Sequence, residues 1–277
     1  MFDVVELFKT MAENSNLKNV SERNDGDYIG KDGLIYCGKC HFPRQCKTEL
    51  LGKIYVCGCV CKCQSAKEKY ESAQKKLQDR IIENKKKSDI PAIFSNSDYR
   101  MIENPEYRKF AYNYAHKFTE VGKRGLLLYD DVGTGKSFMA SCIAHQLLDR
   151  GFSVKWTTTL EFVDKGCFFG QEDYSDYVYS ITKPDLLIID DLGAERNTDF
   201  AVERVQEMID KRSASNKPMI ITTNLDINAM MKEQNIARKR TYDRVLESCF
   251  PILFRGQSYR IRKANENFSD FGQLLSE

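Results

Sequence analysis

The sequence predicts an α/β chain in which a parallel sheet is flanked by helices, with a small cysteine-rich module ahead of it. Three observations carry this. The apolar run Leu126-Leu127-Leu128-Tyr129 enters a glycine-rich turn, Gly133-Thr134-Gly135-Lys136-Ser137, and apolar residues at helical spacing follow. Leu186-Leu187-Ile188-Ile189 is a second aliphatic run, ending in Asp190-Asp191, as expected of a strand buried on both faces. Seven of the ten cysteines fall between positions 37 and 63.

In chain order, Met1–Val20 sets Asp3 and Glu6 among Val4, Val5, Leu7, Phe8 and Met11. That pattern suits a short amphipathic helix and not a secretory signal. Cys37-Gly38-Lys39-Cys40 is a C-x-x-C knuckle. Cys57, Cys59, Cys61 and Cys63 alternate, so an extended segment would put four sulfurs on one face. Two such knuckles match a tetrahedral Zn²⁺ site closed by four thiolates, with His41 and Cys46 as reserve ligands. A disulfide framework is the competing reading, but it belongs to oxidising compartments, whereas an ATP-dependent chain belongs in the reducing cytoplasm. A metal here would be structural, because so short a segment has little core of its own. From Ser65 to Lys87 the composition turns charged, with Tyr70, Leu77 and Ile81 at helical spacing, and Pro91 follows. Arg100 to Phe118 reads as an amphipathic helix. The expected organisation is therefore a cysteine-rich module at 1–64, a charged helical connector at 65–90, and a nucleotide-binding domain at 91–277.

The strand–turn–helix around Lys136 is a phosphate cradle. Backbone N–H groups of the turn and the positive end of the helix face the phosphates, Lys136 reaches the β/γ positions, and the Ser137 hydroxyl meets Mg²⁺. Phe138, Met139, Ile143, Ala144, Leu147 and Leu148 form the helix stripe, stopped at Gly151. One residue breaks the loop signature: Asp130 stands where glycine is expected, bringing a carboxylate near anionic phosphates. Val154-Lys155-Trp156-Thr157 is the second strand. The aromatics after it (Phe162, Phe168, Phe169, Tyr174, Tyr177 and Tyr179) either stack single-stranded bases or belong to the core. Asp190 is placed to hold Mg²⁺ and Asp191 to orient the attacking water; alternatively both are solvated strand-end acids. Phe200 to Arg212 is a helix with Val202, Val205 and Ile209 on one face. Met219-Ile220-Ile221-Thr222-Thr223 is a third strand ending at Asn224, which either senses the γ-phosphate or forms a turn.

The 277 residues and 42% hydrophobic content support a sizeable core, and no apolar run is long enough for a bilayer. The net charge of +2 demands no nucleic-acid partner.

Together these motifs resemble the AAA+ ATPases, and within them the DnaC/DnaI-like helicase loaders, many of them from phages. The resemblance runs through Asp131-Val132-Gly133-Thr134-Gly135-Lys136-Ser137, Ile189 to Arg196, Lys217 to Leu225, Tyr242-Asp243-Arg244-Val245-Leu246 and Ser258-Tyr259-Arg260. It covers about Ile90 to Arg262 and implies a P-loop AAA+ parallel sheet flanked by helices. It makes the cradle Val132 to Phe138, Arg244 an arginine finger reaching a neighbouring subunit's γ-phosphate, and Arg260 the sensor 2 arginine of its own subunit. Relatives end their zinc site in C-x-C-x-C, matched by Cys59, Cys61 and Cys63; Cys37, Cys40, Cys59 and Cys61 are the expected ligands. The implied function is ATP-dependent loading of a replicative DNA helicase onto single-stranded DNA, by a homo-oligomer in its ATP-bound state. Asp191, where many relatives carry Glu, implies slow hydrolysis. The rivals are an IstB-like transposition helper, which the cysteine cluster disfavours, and a nucleotide-switched adaptor that does not hydrolyse ATP.

Overall fold

The structure, a computed structural model, describes residues 26–50, 53–168 and 171–276. The amphipathic helix expected over Met1–Val20 lies outside them. The chain divides between Leu77 and Gln78 into two compact units.

The first unit is built from two antiparallel pairs, β1 (Tyr28–Ile29) with β2 (Ile35–Tyr36) and β3 (Gln45–Leu50) with β4 (Lys53–Gly58). Its buried hydrophobics, among the described residues, are Leu34, Cys37 and Cys61. Two-stranded pairs with so little apolar burial do not hold a fold in water unaided. Helix α1 (Lys62–Lys87) follows and buries no residue, in keeping with its charged composition.

In the second unit, α2 (Pro105–His116) and α3 (Phe118–Val121) precede β5 (Gly125–Tyr129) and α4 (Lys136–Asp149). Then come β6 (Val154–Thr158), α5 (Thr159–Phe168), α6 (Gln171–Thr182), β7 (Leu186–Leu192) and α7 (Asp199–Ala214). β8 (Met219–Thr223), α8 (Ile227–Met231), α9 (Ile236–Ser248), β9 (Cys249–Leu253) and α10 (Tyr259–Ser276) complete it. The helix expected from Arg100 begins only at Pro105. Asn104 Oδ1 accepts from Glu106 N at 2.9 Å and from Tyr107 N at 3.3 Å, capping a helix whose first residue is proline. A 3₁₀ turn, Tyr99–Met101, fills the preceding stretch.

The five strands β5–β9 form one parallel sheet in the order β6-β7-β8-β5-β9. Alternate residues of β5 serve opposite faces: Leu126 and Leu128 pack with Ile143, Leu147 and Trp156, and Leu127 packs with Phe162, Val205 and Met208. Both faces are thus covered by helices. β5 lies between β8 and β9, yet the chain leaves it for the far edge strand β6. The crevice at the carboxyl ends of β5, β7 and β8 is where such sheets bind ligands. Phe162 and Tyr174 are buried, and Phe162 stacks on half-buried Tyr177 at 5.6 Å. These three are core, while Tyr179 is 60% exposed and Phe169 lies outside the described residues. No described helix is long and apolar enough to cross a membrane.

Candidate functional site

The turn after β5 is shaped by its backbone. Gly133 has φ of 78° and Gly135 of 97°, in the left-handed region that favours glycine. A Cβ on Gly133 would also lie 2.2 Å from Ser258 Oγ. Gly135 is the N-cap of α4, so the first helical residues are Lys136 and Ser137, directly at the positive end. Lys136 is 5% exposed, and its Nζ donates to Asp130 O at 2.8 Å and Asp131 O at 2.5 Å. Burial lowers its pKa, against the opposing pull of Asp191, Asp131, Asp130 and Asp190.

Asp190, at the end of β7, is 7% exposed. Its Oδ1 accepts from Ser137 Oγ at 2.7 Å and from Thr222 Oγ1 of β8 at 2.6 Å. Burial raises its pKa, and the Thr222 and Ser137 hydrogen bonds pull it back. Three elements therefore converge on one carboxylate. The register of β7 against β8 shifts between Ile189 and Leu192, and Asp191 takes φ of 59°. That bulge turns Asp191 out to solvent while its N–H donates to Thr222 Oγ1 at 2.9 Å.

A cavity of about 450 Å³ opens over this corner, within the range that takes a nucleotide-sized ligand. Val132, Gly133, Thr134, Gly135, Lys136, Ser137, Phe138, Asp191, Asn224 and Arg260 all line it. Asp190 stands behind them, reached through Ser137. Arg244 does not line this cavity. Half-exposed on α9, it pairs with Asp210 at 3.4 Å and Glu247 at 3.1 Å. The cavity's apolar lining includes residues that the sequence motifs do not mark: Ile93, Phe94, Ile102, Tyr107 and Phe254. They lie far from the loop in sequence and share no short motif. Helical or strand apolarity was the only signal available.

In the first unit, the sulfurs of Cys37, Cys40, Cys61 and Cys63 all lie within 4.8 Å of one another. The structure thus brings Cys63, and not the expected Cys59, to Cys37, Cys40 and Cys61. Cys59 Sγ instead donates to Pro43 O at 3.1 Å. The reason is helical: Lys62 opens α1, so Cys61 and Cys63 lie across the strand-to-helix turn and not on an extended face. Backbone N–H groups of Cys40 and Lys39 hold the Cys37 thiol down to about 6, and those of Cys63 and Phe42 lower Cys40. Cys61 and Cys37 crowd Cys63 and push it up to about 12. Four thiols packed this tightly, two of them buried, fit a soft tetrahedral cation. Cys46 and Cys57 sit opposite one another across β3 and β4, and both are exposed.

The family model described as IstB-like ATP binding protein matches residues 63–267. Among curated relatives, an ATP-binding protein in an insertion sequence of Mycobacterium tuberculosis is 28% identical over 141 residues, 50% of this chain and 56% of that protein. The replicative helicase loader DnaC of Buchnera aphidicola subsp. Schizaphis graminum is 27% identical over 184 residues, 63% of this chain and 73% of that protein. The chain thus spans little more than half the length of the first of these. Among solved structures, the DnaC helicase loader superposes with a TM-score of 0.54 at 18% identity, covering 60% of this chain and 100% of that one. That likeness is one of fold.

Proposed function

Because the chain belongs to the IstB-like ATP binding protein family, we propose that it is an ATP-dependent loader of a replicative DNA helicase onto single-stranded DNA. The observation that carries the nucleotide chemistry is the convergence of Ser137 and Thr222 on buried Asp190, directly behind the cavity wall that Lys136 and Ser137 form.

In this reading the turn amides and Lys136 hold the β/γ-phosphates of ATP, and Ser137 and Asp190 hold Mg²⁺. The magnesium, when bound, supplies positive charge to the terminal phosphates. Thr222 fixes the Asp190 carboxylate, and through the Asp191 N–H it fixes the bulge that turns Asp191 toward solvent. Asp191 orients the attacking water, and Asn224 and Arg260, which line the same cavity, contact the γ-phosphate. The apolar lining of Phe94, Ile102 and Phe254 takes the base. Arg244, outside its own cavity and half-exposed, is free to reach the site of a neighbouring copy once its pairing with Asp210 and Glu247 gives way. Cys37, Cys40, Cys61 and Cys63 hold Zn²⁺, which in the reducing cytoplasm would keep the small first unit folded.

The DnaC likeness favours the helicase partner, and the thiol cluster ahead of the ATPase supports it over the transposition helper. The insertion-sequence relative keeps that second reading in view.

Two experiments check these assignments. Lys136→Ala and Arg244→Ala should each cut turnover by about 10²-fold or more, and mixing them 1:1 should restore roughly a quarter of wild-type rate, because a head-to-tail assembly then forms intact sites between unlike copies. No recovery on mixing would rule out Arg244 acting in trans. For the metal, Cys63→Ser should lower bound zinc well below one equivalent, while Cys59→Ser should retain it, as read by atomic emission on the purified chain. The opposite order would return Cys59 to the ligand set.

A further inference from the structure

Asp130 sits where the phosphate loop expects glycine, at φ of 90°. Its carboxylate does not line the nucleotide cavity. Oδ2 instead accepts from Arg255 Nε at 3.0 Å, with the Asp130 side chain 18% exposed and that of Arg255 69%. Arg255 lies on the connection between β9 and α10, and that connection touches the loop repeatedly. Gly256 N donates to Asp131 Oδ2 at 3.4 Å, and Tyr259 N donates to Gly133 O at 2.9 Å. Ser258 occupies the space that a Gly133 side chain would fill, and the Tyr259 ring lies 3.7 Å from where a Gly135 Cβ would stand. Immediately beyond, Arg260 and Lys263 of α10 line the cavity itself.

We propose that Arg255 is a positioning residue of the nucleotide site. It neutralises the Asp130 carboxylate and holds it off the phosphates, so that a loop with an acid at this position accepts a polyphosphate. The inference rests on the nucleotide reading of the cavity.

Ordinarily a half-exposed ion pair contributes little to stability, and that is not the role assigned here. What matters is the charge beside a polyanion. An uncompensated carboxylate beside a multiply charged ligand, at an effective dielectric of about 20, weakens its binding by roughly tenfold. Asparagine isolates this effect, since it keeps the shape and tolerates the left-handed backbone while removing the charge.

The test is calorimetric titration of the full chain with Mg·ATP and, separately, with adenosine. Arg255→Ala should bind Mg·ATP about tenfold more weakly, bind adenosine unchanged, and lose less affinity as salt rises. The Asp130→Asn/Arg255→Ala double variant should return to within about threefold of wild type, which a merely structural role for Arg255 would not produce. Arg255→Lys should stay close to wild type. Wild-type Mg·ATP affinity in Arg255→Ala, or a double variant as weak as Arg255→Ala, would overturn the proposal. Wild-type chain that binds adenosine and Mg·ATP no better than Lys136→Ala does would overturn the nucleotide site itself.

Discussion

Lys136→Ala is expected to cut ATP turnover by about 10²- to 10³-fold, the size of effect seen when one preorganised donor to a reacting oxyanion is removed. Lys136 is 5% exposed, and its ammonium donates to two loop carbonyls at the start of α4. Its place is fixed by the fold before any ligand arrives, so little reorganisation is needed on binding. The charges of Asp191, Asp131, Asp130 and Asp190 all favour its protonated form. Without the lysine the corner turns more negative, and affinity for a polyphosphate should fall along with the rate. The two carbonyls it releases lie beside an open cavity where water replaces the donor, so unfolding free energy should change by less than about 1 kcal/mol. Phosphate release under multiple turnover, with an ATP titration and a denaturation curve on the same preparation, checks all three. Unchanged ATP affinity would remove Lys136 from the site.

Arg212 carries the largest stability effect. It is 0% exposed at the end of α7 and lies within hydrogen-bonding reach of four carbonyls, those of Thr182, Pro184, Asp185 and Pro218. The guanidinium thereby ties the end of α6 and the starts of β7 and β8 to α7. Burial lowers its pKa to about 10, so the charge is desolvated and depends on those carbonyls. Arg212→Met would keep the stem and strand the acceptors, each costing about 1–3 kcal/mol when buried unpaired. Part of that is offset because a buried charge is itself expensive, leaving a net loss of about 3–5 kcal/mol. Arg212→Lys should recover little, because one ammonium cannot span acceptors on three segments as the planar fork does. Chemical denaturation of the purified variants reads both. A loss under about 1 kcal/mol for Arg212→Met would show that the carbonyls find other donors.

What the sequence made legible was local. β5 and the phosphate turn, β7 with its two acids, and β8 were each readable because a buried parallel strand is a short aliphatic run and the site residues follow it directly. The chemistry that depends on meeting across the fold was not. Thr222 read as one more β-branched strand residue, although it binds Asp190 and the Asp191 backbone. Arg212 was legible only as the last residue of the helix from Phe200, and its burial depends on partners in connections 27 to 30 residues earlier. Asp130 read as a flaw in the loop, since its partner Arg255 is 125 residues away. In the cysteine module, alternation pointed to an extended segment, but the start of α1 at Lys62 exchanges Cys63 for Cys59.

In the proposed function ATP bound at Lys136 drives helicase loading, and transfer of a replicative helicase to circular single-stranded DNA tests this most directly. With wild-type chain and ATP, the helicase should become stably associated with the circle, and with Lys136→Ala it should remain off at every protein concentration. Helicase that loads equally well with either chain, or that neither chain binds, would contradict the account.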